Sequence, residues 1–380
     1  MKIPFGAIQR DDEEFRGELL DALRESFLSG RWIGGPEVEA LERELGAFVG
    51  REAVSCASGT DALVLALRAA GAKPGDAVVV PAFSFGATAE AVALAGGVPR
   101  FADVDPDSFC MDAETLSRAS LRGTRAVVAV GLFGRAAPCA ELSAVLESEA
   151  PGAALVEDAA QSFGAFRDGV PSCGASPYAA TSFYPTKPFG GYGDGGMVFL
   201  PDAASAARVR ALCNHGQRER DRHEEIGFNS RLDAMQAALL RVKFRRLGSL
   251  RERRAAAAAR YDALLRPSAE RVGIALPSAA AGESPVWAQY TVRVLPGRDG
   301  ADRRDALRAR LAELGAGTAV YYSAPLHSQP CWARFAAGAE CPNAERLSRE
   351  VLSLPLTASI TAEEQERVAE ALVASLETFR

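Results

Sequence analysis

Lysine is scarce in this chain of 380 residues. Only four of its 43 basic residues are lysines (Lys2, Lys73, Lys187 and Lys243), and the others are arginines. Arginine cannot lose its proton to become a nucleophile, whereas a lysine whose pKa is shifted by its surroundings can. Lys187 lies in a glycine-rich stretch and therefore indicates a position that needs an amine, although a solvated loop lysine would explain this stretch equally well.

Long apolar runs are also missing. No stretch of about 18 apolar residues occurs, and the N-terminus, which soon reaches the acidic block Asp11 to Glu14, has no apolar signal core. The net charge of −6 and the pI of about 5.4 argue against nucleic-acid binding. The one Arg-rich segment, 245–254, is typical of an exposed helix face. We expect a cytoplasmic protein.

Histidine is as scarce as lysine, with three residues, and the seven cysteines form no Cys-x-x-Cys pair. An odd number of scattered cysteines predicts neither a disulfide framework nor a zinc site. Cys56 precedes the block Ser58-Gly-Thr60 and is expected to be a small buried apolar residue.

Short apolar runs alternate with amphipathic stretches between residues 53 and 156. This alternation predicts an α/β fold with a mostly parallel sheet covered by helices on both faces, in which ligands gather at the C-terminal ends of the strands. The predicted strands are Ala53–Cys56, Ala77–Val80, Val98–Ala102, Ala126–Val130 and Ala153–Val156, with helices near 60–70, 86–95, 112–119 and 139–149.

The regular alternation of predicted strands and helices ends in the second half of the chain. Ala179–Tyr184 and Met197–Leu200 are predicted as strands on either side of the Lys187 loop, and a long helix is predicted from Asp233 to Leu265. A smaller α+β unit follows, with a strand at Val286–Leu295 and helices at 302–314 and 362–376. We predict a large domain at 1–245 and a small one at 246–380, with about the first 15 residues packing on the small domain.

The block Ser58-Gly59-Thr60-Asp61 follows a predicted strand and opens an apolar helix. Free N–H groups at a helix start, the positive end of the helix dipole and two hydroxyls suit a phosphate. A plain N-cap by Ser58 or Thr60 is the alternative.

A second block, Leu155 to Gln161, places Glu157 and Asp158 at the end of an apolar strand. A carboxylate there could hold a buried cationic ring nitrogen. Successive residues of a strand point to opposite faces, so only one of the two acids is expected to face a ligand. A loop-capping aspartate is equally compatible with this block.

The stretch Gly191 to Gly196 matches Gly-x-Gly-x-x-Gly in spelling, but a predicted strand follows it where a dinucleotide fingerprint needs a helix. We expect these glycines to let the backbone bend beside a ligand. A phosphate cradle, a strand-end acid and a loop lysine, in this order, are what pyridoxal 5′-phosphate (PLP) requires.

Further blocks extend this pattern along nearly the whole chain. The sequence resembles the fold-type I, PLP-dependent nucleotide-sugar aminotransferases of the DegT/DnrJ/EryC1/StrS family. The resemblance is carried by Ser58-Gly-Thr-Asp-Ala-Leu63, Pro81-Ala-Phe-Ser-Phe85, Glu157-Asp-Ala-Ala-Gln161, Ser182-Phe-Tyr-Pro-Thr-Lys187, Gly193-Asp-Gly-Gly196, Asn214-His-Gly-Gln217, Asn229-Ser-Arg-Leu-Asp233 and Pro325-Leu-His327.

The resemblance implies a role for each matching residue. Lys187 would form the internal aldimine and move protons, and Asp158 would pair with the pyridine nitrogen. Gln161 would lie near the ring hydroxyl, and Phe85 would stack on the ring. The phosphate would be bound at the helix start and the following strand, by Ser58, Gly59, Thr60, the backbone N–H of Asp61 and Ser182.

The resemblance also implies a homodimer with shared active sites, in which Asn229 reaches the phosphate of the neighbouring subunit's cofactor. Tyr322 and His327 match positions near the sugar nucleotide. One departure is Pro188, where the family usually has asparagine, because proline fixes φ and removes a backbone donor. The retained Lys187 argues against the related dehydratases, in which histidine replaces the lysine.

The implied reaction moves an amino group from L-glutamate to a nucleotide-linked keto sugar in amino-sugar biosynthesis. The spelling around Lys187 favours a dTDP- or UDP-3-keto hexose. A 4-keto sugar, a cyclitol such as scyllo-inosose, and a regulatory PLP-fold protein without turnover remain alternatives. A nicotinamide-dependent dehydrogenase is weakened by the misplaced glycine motif.

Overall fold

The computed structural model, which describes residues 2–6, 8–297 and 300–379, is centred on a seven-stranded sheet. The strands lie in the order β1-β7-β6-β5-β4-β2-β3, and only β7 runs against the others. They are β1 (Glu52–Cys56), β2 (Ala77–Pro81), β3 (Val98–Ala102), β4 (Thr124–Val130), β5 (Ala154–Asp158), β6 (Tyr178–Ser182) and β7 (Gly196–Leu200).

Both faces of this sheet are buried. In β2, Val78 and Val80 belong to one apolar cluster, while Val79 belongs to a second cluster on the other face. Small and β-branched residues fill the central strands because a sheet covered on both sides leaves no polar face. The predicted mostly parallel α/β fold is confirmed.

Among the described residues, seven α-helices of six or more residues accompany the sheet in the first part of the chain, and five belong to the second part. They are α1 (Arg16–Leu28), α2 (Pro36–Val49), α3 (Gly59–Ala69), α4 (Gly86–Leu94), α5 (Ala113–Arg118), α6 (Cys139–Glu149), α7 (Ala203–Cys213), α8 (Ala234–Phe244), α9 (Leu247–Val272), α10 (Arg304–Glu313), α11 (Pro342–Glu350) and α12 (Ala362–Thr378). None of the described helices is long and apolar enough to cross a membrane.

Two predicted elements are wrong in their extent. The single long helix is two helices, α8 and α9, which are interrupted at Arg245 and Arg246, and both of these arginines pair with Glu18. The strand predicted from Val286 is confined to β9 (Tyr290–Val294), because Trp287 has a left-handed φ of 51° that no regular strand accepts.

The C-terminal part contains a three-stranded antiparallel sheet of β8 (Ile274–Ala275), β9 and β10 (Val351–Leu354). Its apolar cluster includes residues from α9, α10 and α12 together with Ile3, whose backbone N–H donates to Gly315 O at 2.8 Å. The N-terminal segment therefore contacts this part of the chain, while the division at 245/246 stays a prediction.

Candidate active site

The loop that carries Lys187 joins two strands that pair with each other, β6 and β7. Its ends meet, because Phe183 N–H donates to Gly195 O at 2.8 Å and Gly191 N–H donates to Phe183 O at 2.7 Å. Phe183 is buried in the apolar cluster below the sheet. The loop is thus closed at its base by hydrogen bonds, and it lies at the edge of the sheet where β5 and β6 end.

Lys187 is partly buried in this loop. Burial lowers the pKa of its ammonium group, and the nearby Asp158 carboxylate opposes that shift. Lys187 Nζ lies 6.0 Å from the ring centroid of Phe85, whose side chain is 56% exposed. An amine that deprotonates more easily than usual therefore lies beside an accessible aromatic face.

Asp158 is the last residue of β5 and is 5% exposed. Its Oδ2 accepts from Thr88 Oγ1 at 2.9 Å, and its Oδ1 accepts from Ala160 N–H at 3.1 Å. Burial raises its pKa, which these donors and Lys187 oppose. Asp158 forms no ion pair with any described residue, so this fixed carboxylate is suited to a cationic ligand group.

The neighbouring Glu157 has different surroundings. Its Oε2 accepts from the backbone N–H of Cys173 at 2.9 Å, and burial raises its pKa to about 7. Glu157 is fully buried among protein groups and shares no hydrogen-bond partner with Asp158. The two adjacent acids thus have separate environments, as the alternation of a strand predicts.

Gln161 is held at both ends of its amide. Its Oε1 accepts from Phe133 N–H at 3.0 Å, and its Nε2 donates to the hydroxyl of Tyr322 at 2.9 Å. The Tyr322 ring lies 6.2 Å from that of Phe85, between centroids. Tyr322, which the resemblance places near the sugar nucleotide, is therefore also in contact with a predicted cofactor residue.

The predicted phosphate cradle lies at the start of α3. Ser58 is its N-cap and accepts from Asp61 N–H at 3.1 Å, so the plain capping alternative also holds, and this N–H is already used. A Cβ added at Gly59 would lie 2.5 Å from the Cβ of Ser182. Thr60 follows in the first turn, and the structure thus brings the five predicted phosphate residues together.

Two predicted site residues lie apart from this group. Asn229 bonds to Arg231 through its Oδ1 and pairs with Asn214 in a short bridge. His327 Nε2 lies 3.2 Å from Glu345 Oε1. Among the described residues, no hydrogen bond, ion pair or ring contact joins the side chain of either residue to Lys187, Asp158, Gln161 or Phe85.

The glycines after the lysine lie close to other parts of the chain, and their predicted place beside a ligand stays a prediction. None of the glycines between positions 190 and 196 has a left-handed φ. A Cβ at Gly190 would lie 2.5 Å from Pro185 O, and one at Gly196 would lie 2.3 Å from Ser58 O. Glycine is needed here because the chain approaches itself closely. As predicted, a strand, β7, follows the false fingerprint.

Four residues of the site were not predicted from the sequence. Thr88 supports Asp158, Phe133 supports Gln161, and Ser230 donates to Asp61 Oδ2 at 2.6 Å. Gln236 Oε1 accepts from Tyr192 N–H at 2.9 Å. Only Thr88 had a usable signal, since it lies in the first turn of the helix that follows β2.

The grouped residues fit PLP. Lys187 supplies an amine, Asp158 a buried carboxylate without an ionic partner among the described residues, and the start of α3 a cradle so tight that only glycine fits at position 59. The exposed face of Phe85 can cover an aromatic ring. This donor set meets the three chemical needs of the cofactor.

The profile of the DegT/DnrJ/EryC1/StrS aminotransferase family matches residues 13–373. The chain belongs to this family. The membership predicted from the sequence blocks is confirmed, and so are its consequences: this family member is a PLP-dependent aminotransferase. A solved relative contains the cofactor in its amine form.

The relatives of this aminotransferase include a protein named for regulation and proteins named for amino transfer. It is 38% identical over 374 residues to the "Pleiotropic regulatory protein" of Geobacillus stearothermophilus, covering 97% of each chain. It is 38% identical over 355 residues to the UDP-2-acetamido-2-deoxy-3-oxo-D-glucuronate aminotransferase of Pseudomonas aeruginosa, covering 93% of this chain and 95% of the relative. The solved structure of S. venezuelae DesV with a ketimine intermediate has a TM-score of 0.92 at 38% identity, with 99% of both chains covered.

Proposed function

We propose that this aminotransferase transfers an amino group from L-glutamate to a 3-keto hexose linked to UDP or dTDP. The observation that carries the proposal is one connected group of side chains. Lys187 lies beside the exposed ring of Phe85 and near Asp158, and Gln161 bonds to Tyr322, whose ring lies beside that of Phe85. The similarity to an aminotransferase named for a 3-oxo sugar nucleotide supports the position of the keto group.

The residues of the site have different roles in such a transfer. Bound PLP supplies an aldehyde carbon for the amino group and a ring that accepts electrons. Asp158 keeps the ring nitrogen protonated, because a buried carboxylate favours a cation beside it. Lys187 Nζ, whose pKa is lowered by burial, would carry a proton between the substrate carbon and the cofactor carbon that exchanges the amino group.

Other residues orient the reacting parts. Phe85 would cover one face of the ring, and the amide of Gln161, which is fixed by Phe133 and Tyr322, would lie near the ring hydroxyl. Ser58, Gly59, Thr60 and Ser182 would hold the phosphate, with the backbone N–H of Asp61 joining them if it exchanges its bond to Ser58 for one to the phosphate. Tyr322 and His327 would bind the sugar nucleotide.

The proposal includes a homodimer with shared sites. Several large apolar side chains on and after α1 are well exposed in the single chain, namely Leu20, Phe27, Leu28, Trp32 and Ile33. A contiguous exposed apolar segment of this kind is typical of a protein interface. The side chain of Asn229 bonds to Arg231 and not to the predicted phosphate residues of its own chain, which is compatible with its predicted role in the neighbouring subunit.

The dimer is testable by sedimentation equilibrium. We expect a dimer for the natural chain and a monomer for the double variant Phe27→Glu/Leu28→Glu. A monomeric natural chain with full activity would contradict shared sites. The predicted cytoplasmic location is tested separately, by cell fractionation.

The substrate proposal is tested with purified protein, PLP and L-glutamate. UDP- and dTDP-linked 3-keto hexoses are offered beside the 4-keto isomers and scyllo-inosose, and the product is identified by mass and by NMR. We expect amination at C3, and product from a 4-keto sugar or from scyllo-inosose alone would overturn the proposal. Glutamate alone should remove the visible absorbance of the bound cofactor, and no change would favour a regulatory protein without turnover.

A further inference from the structure

Two consecutive aspartates of the N-terminal segment, Asp11 and Asp12, are both buried. Asp11 is the last residue of a short helical turn, Ile8–Asp11, and Asp12 follows it before α1 begins. Neither is part of the site described above. Burying two adjacent carboxylates is costly unless each has partners, and their partners lie in two different parts of the molecule.

Asp12 faces the loop of Lys187. Its Oδ2 accepts from the hydroxyl of Tyr192 at 2.6 Å, and its Oδ1 lies 3.5 Å from Lys243 Nζ. Lys243 Nζ also lies 5.1 Å from the ring centroid of Tyr192. Lys243 is as deeply buried as Asp12. The three side chains therefore form one network, in which the carboxylate is held between an ammonium group and a phenol.

Tyr192 belongs to the same closed loop as Lys187, five residues later in the chain. Helix α8 holds this part of the loop at two points. Gln236 accepts from the backbone N–H of Tyr192, and Lys243 lies against its ring. Gln236 and Lys243 are seven positions apart, which places them on the same face of a helix. The loop is thus fixed to α8 beyond the lysine, and Asp12 completes the attachment.

Asp11 faces the C-terminal part of the chain. Its Oδ1 accepts from Ser359 Oγ at 2.6 Å and its Oδ2 from Ala358 N–H at 3.2 Å, while Arg254 lies 3.6 Å away in an ion pair. The two aspartates therefore connect the lysine loop to the segment before α12 across a single peptide unit. A shift of one end would be transmitted to the other.

We propose that Asp12, Tyr192 and Lys243 form a positioning network that fixes the loop carrying Lys187, and that Asp11 connects this network to the C-terminal part. Lys243 is a positioning residue in this network, because its amine is occupied by Asp12. The inference rests on PLP-dependent transamination by this family and is independent of the sugar proposed above.

The decisive variant is Tyr192→Phe, which removes one hydroxyl and keeps the ring over Lys243. We expect backbone amides 184–195 to exchange with deuterium about tenfold faster, since a hydrogen bond to a charged acceptor contributes about this factor. The rate of the glutamate half-reaction should fall about tenfold while KM for glutamate changes less than about twofold, as for an effect on the reacting geometry. The apparent Kd for PLP should rise.

Tyr290→Phe is the matched control. It removes a tyrosine–aspartate hydrogen bond of 2.5 Å, to Asp262, in the C-terminal part. This variant should lower the melting temperature without changing loop exchange or the half-reaction. Unchanged exchange at 184–195 and unchanged PLP affinity in Tyr192→Phe would overturn the proposal, whatever its effect on stability.

A double-mutant cycle tests the pairing of Asp12 with Lys243. Asp12→Asn and Lys243→Met should each speed the exchange of the loop, and the double variant should be no worse than the worse single variant, because the charges are then removed together. Strictly additive effects on loop exchange would overturn the network. Should a single variant fail to fold, Tyr192→Phe still decides the question.

Discussion

Two of the four lysines lie in similar surroundings, and only one is placed to react. Lys187 and Lys243 both have a pKa lowered by burial, an aspartate that opposes the shift and an aromatic ring nearby. Lys243 is paired with Asp12 at 3.5 Å and is only 5% exposed. Lys187 has no ion pair within the described residues and faces an exposed ring. Burial and an acidic neighbour alone therefore do not identify a catalytic amine.

Replacing Lys187 should abolish the reactivity that distinguishes it from Lys243. We expect Lys187→Ala to lower the rate of the glutamate half-reaction by more than about a thousandfold, because it deletes the group that moves the proton. Single-turnover absorbance of the bound cofactor measures this rate. Lys73→Ala, a lysine outside the site, is the matched control and should react normally. Normal turnover by Lys187→Ala would refute the assignment.

The aspartates beside the two lysines should also differ in function, because Asp158 is proposed to act on the cofactor whereas Asp12 pairs with Lys243. In Asp158→Asn the oxygen that accepts from Thr88 can remain, but the charge beside the ring nitrogen is lost. We expect kcat to fall about a hundredfold with little loss of stability, the scale of one electrostatic contribution to a transition state. Steady-state kinetics and urea unfolding measure the two effects, with Thr88→Val as a control for the hydrogen bond alone. Activity within twofold of the natural enzyme would contradict the role of the charge.

For the free energy of unfolding, we expect the larger effect from replacing Lys243 and the smaller one from replacing Lys187. Lys243→Met leaves Asp12 buried without its ammonium partner, and we expect the free energy of unfolding to fall by about 3 kcal/mol. Lys187→Met removes no ion pair and should change it by less than about 1 kcal/mol. Urea unfolding of both variants makes the comparison direct. An equal loss in the two variants would mean that the Lys243–Asp12 pair is not structural.

The sequence predicted local features better than long-range ones. The strand ending in Asp158 and the helix beginning at Gly59 follow from short apolar patterns and a cap, which neighbouring residues decide. The close contact of Gly196 could not be predicted, because Ser58 approaches it from a distant part of the chain, whereas the contact of Gly190 with Pro185 lies within the loop. The partner of Lys243 was equally hidden, since Asp12 lies 231 positions away in the chain.

The break between α8 and α9 is another long-range feature that could not be predicted from the sequence. Periodicity continued smoothly through Arg245 and Arg246, and nothing local ends the helix there. Their common partner, Glu18, comes from α1 and is known only from the fold. Tertiary contacts can override a local pattern of this kind.

The smallest expected effect concerns Glu157, which is buried like Asp158 but faces only protein. Its pKa is raised from 4.5 to about 7 in the folded state, chiefly by burial, so the folded protein binds this proton more tightly than the unfolded chain does. The stability that Glu157 contributes is therefore complete below about pH 4.5 and is lost as the pH rises through about 7.

Glu157→Gln cannot ionise, and its amide oxygen can still accept from Cys173 N–H. Relative to the natural protein, we expect the variant to gain about 1–3 kcal/mol in unfolding free energy between about pH 5 and about pH 8. Urea unfolding at the two pH values measures the gain, and Glu147→Gln, on the exposed surface of α6, is the matched control. A gain of the same size in both variants would place the titration elsewhere. A gain confined to Glu157→Gln, with kcat unchanged, would show that of the two adjacent carboxylates only Asp158 acts on the cofactor.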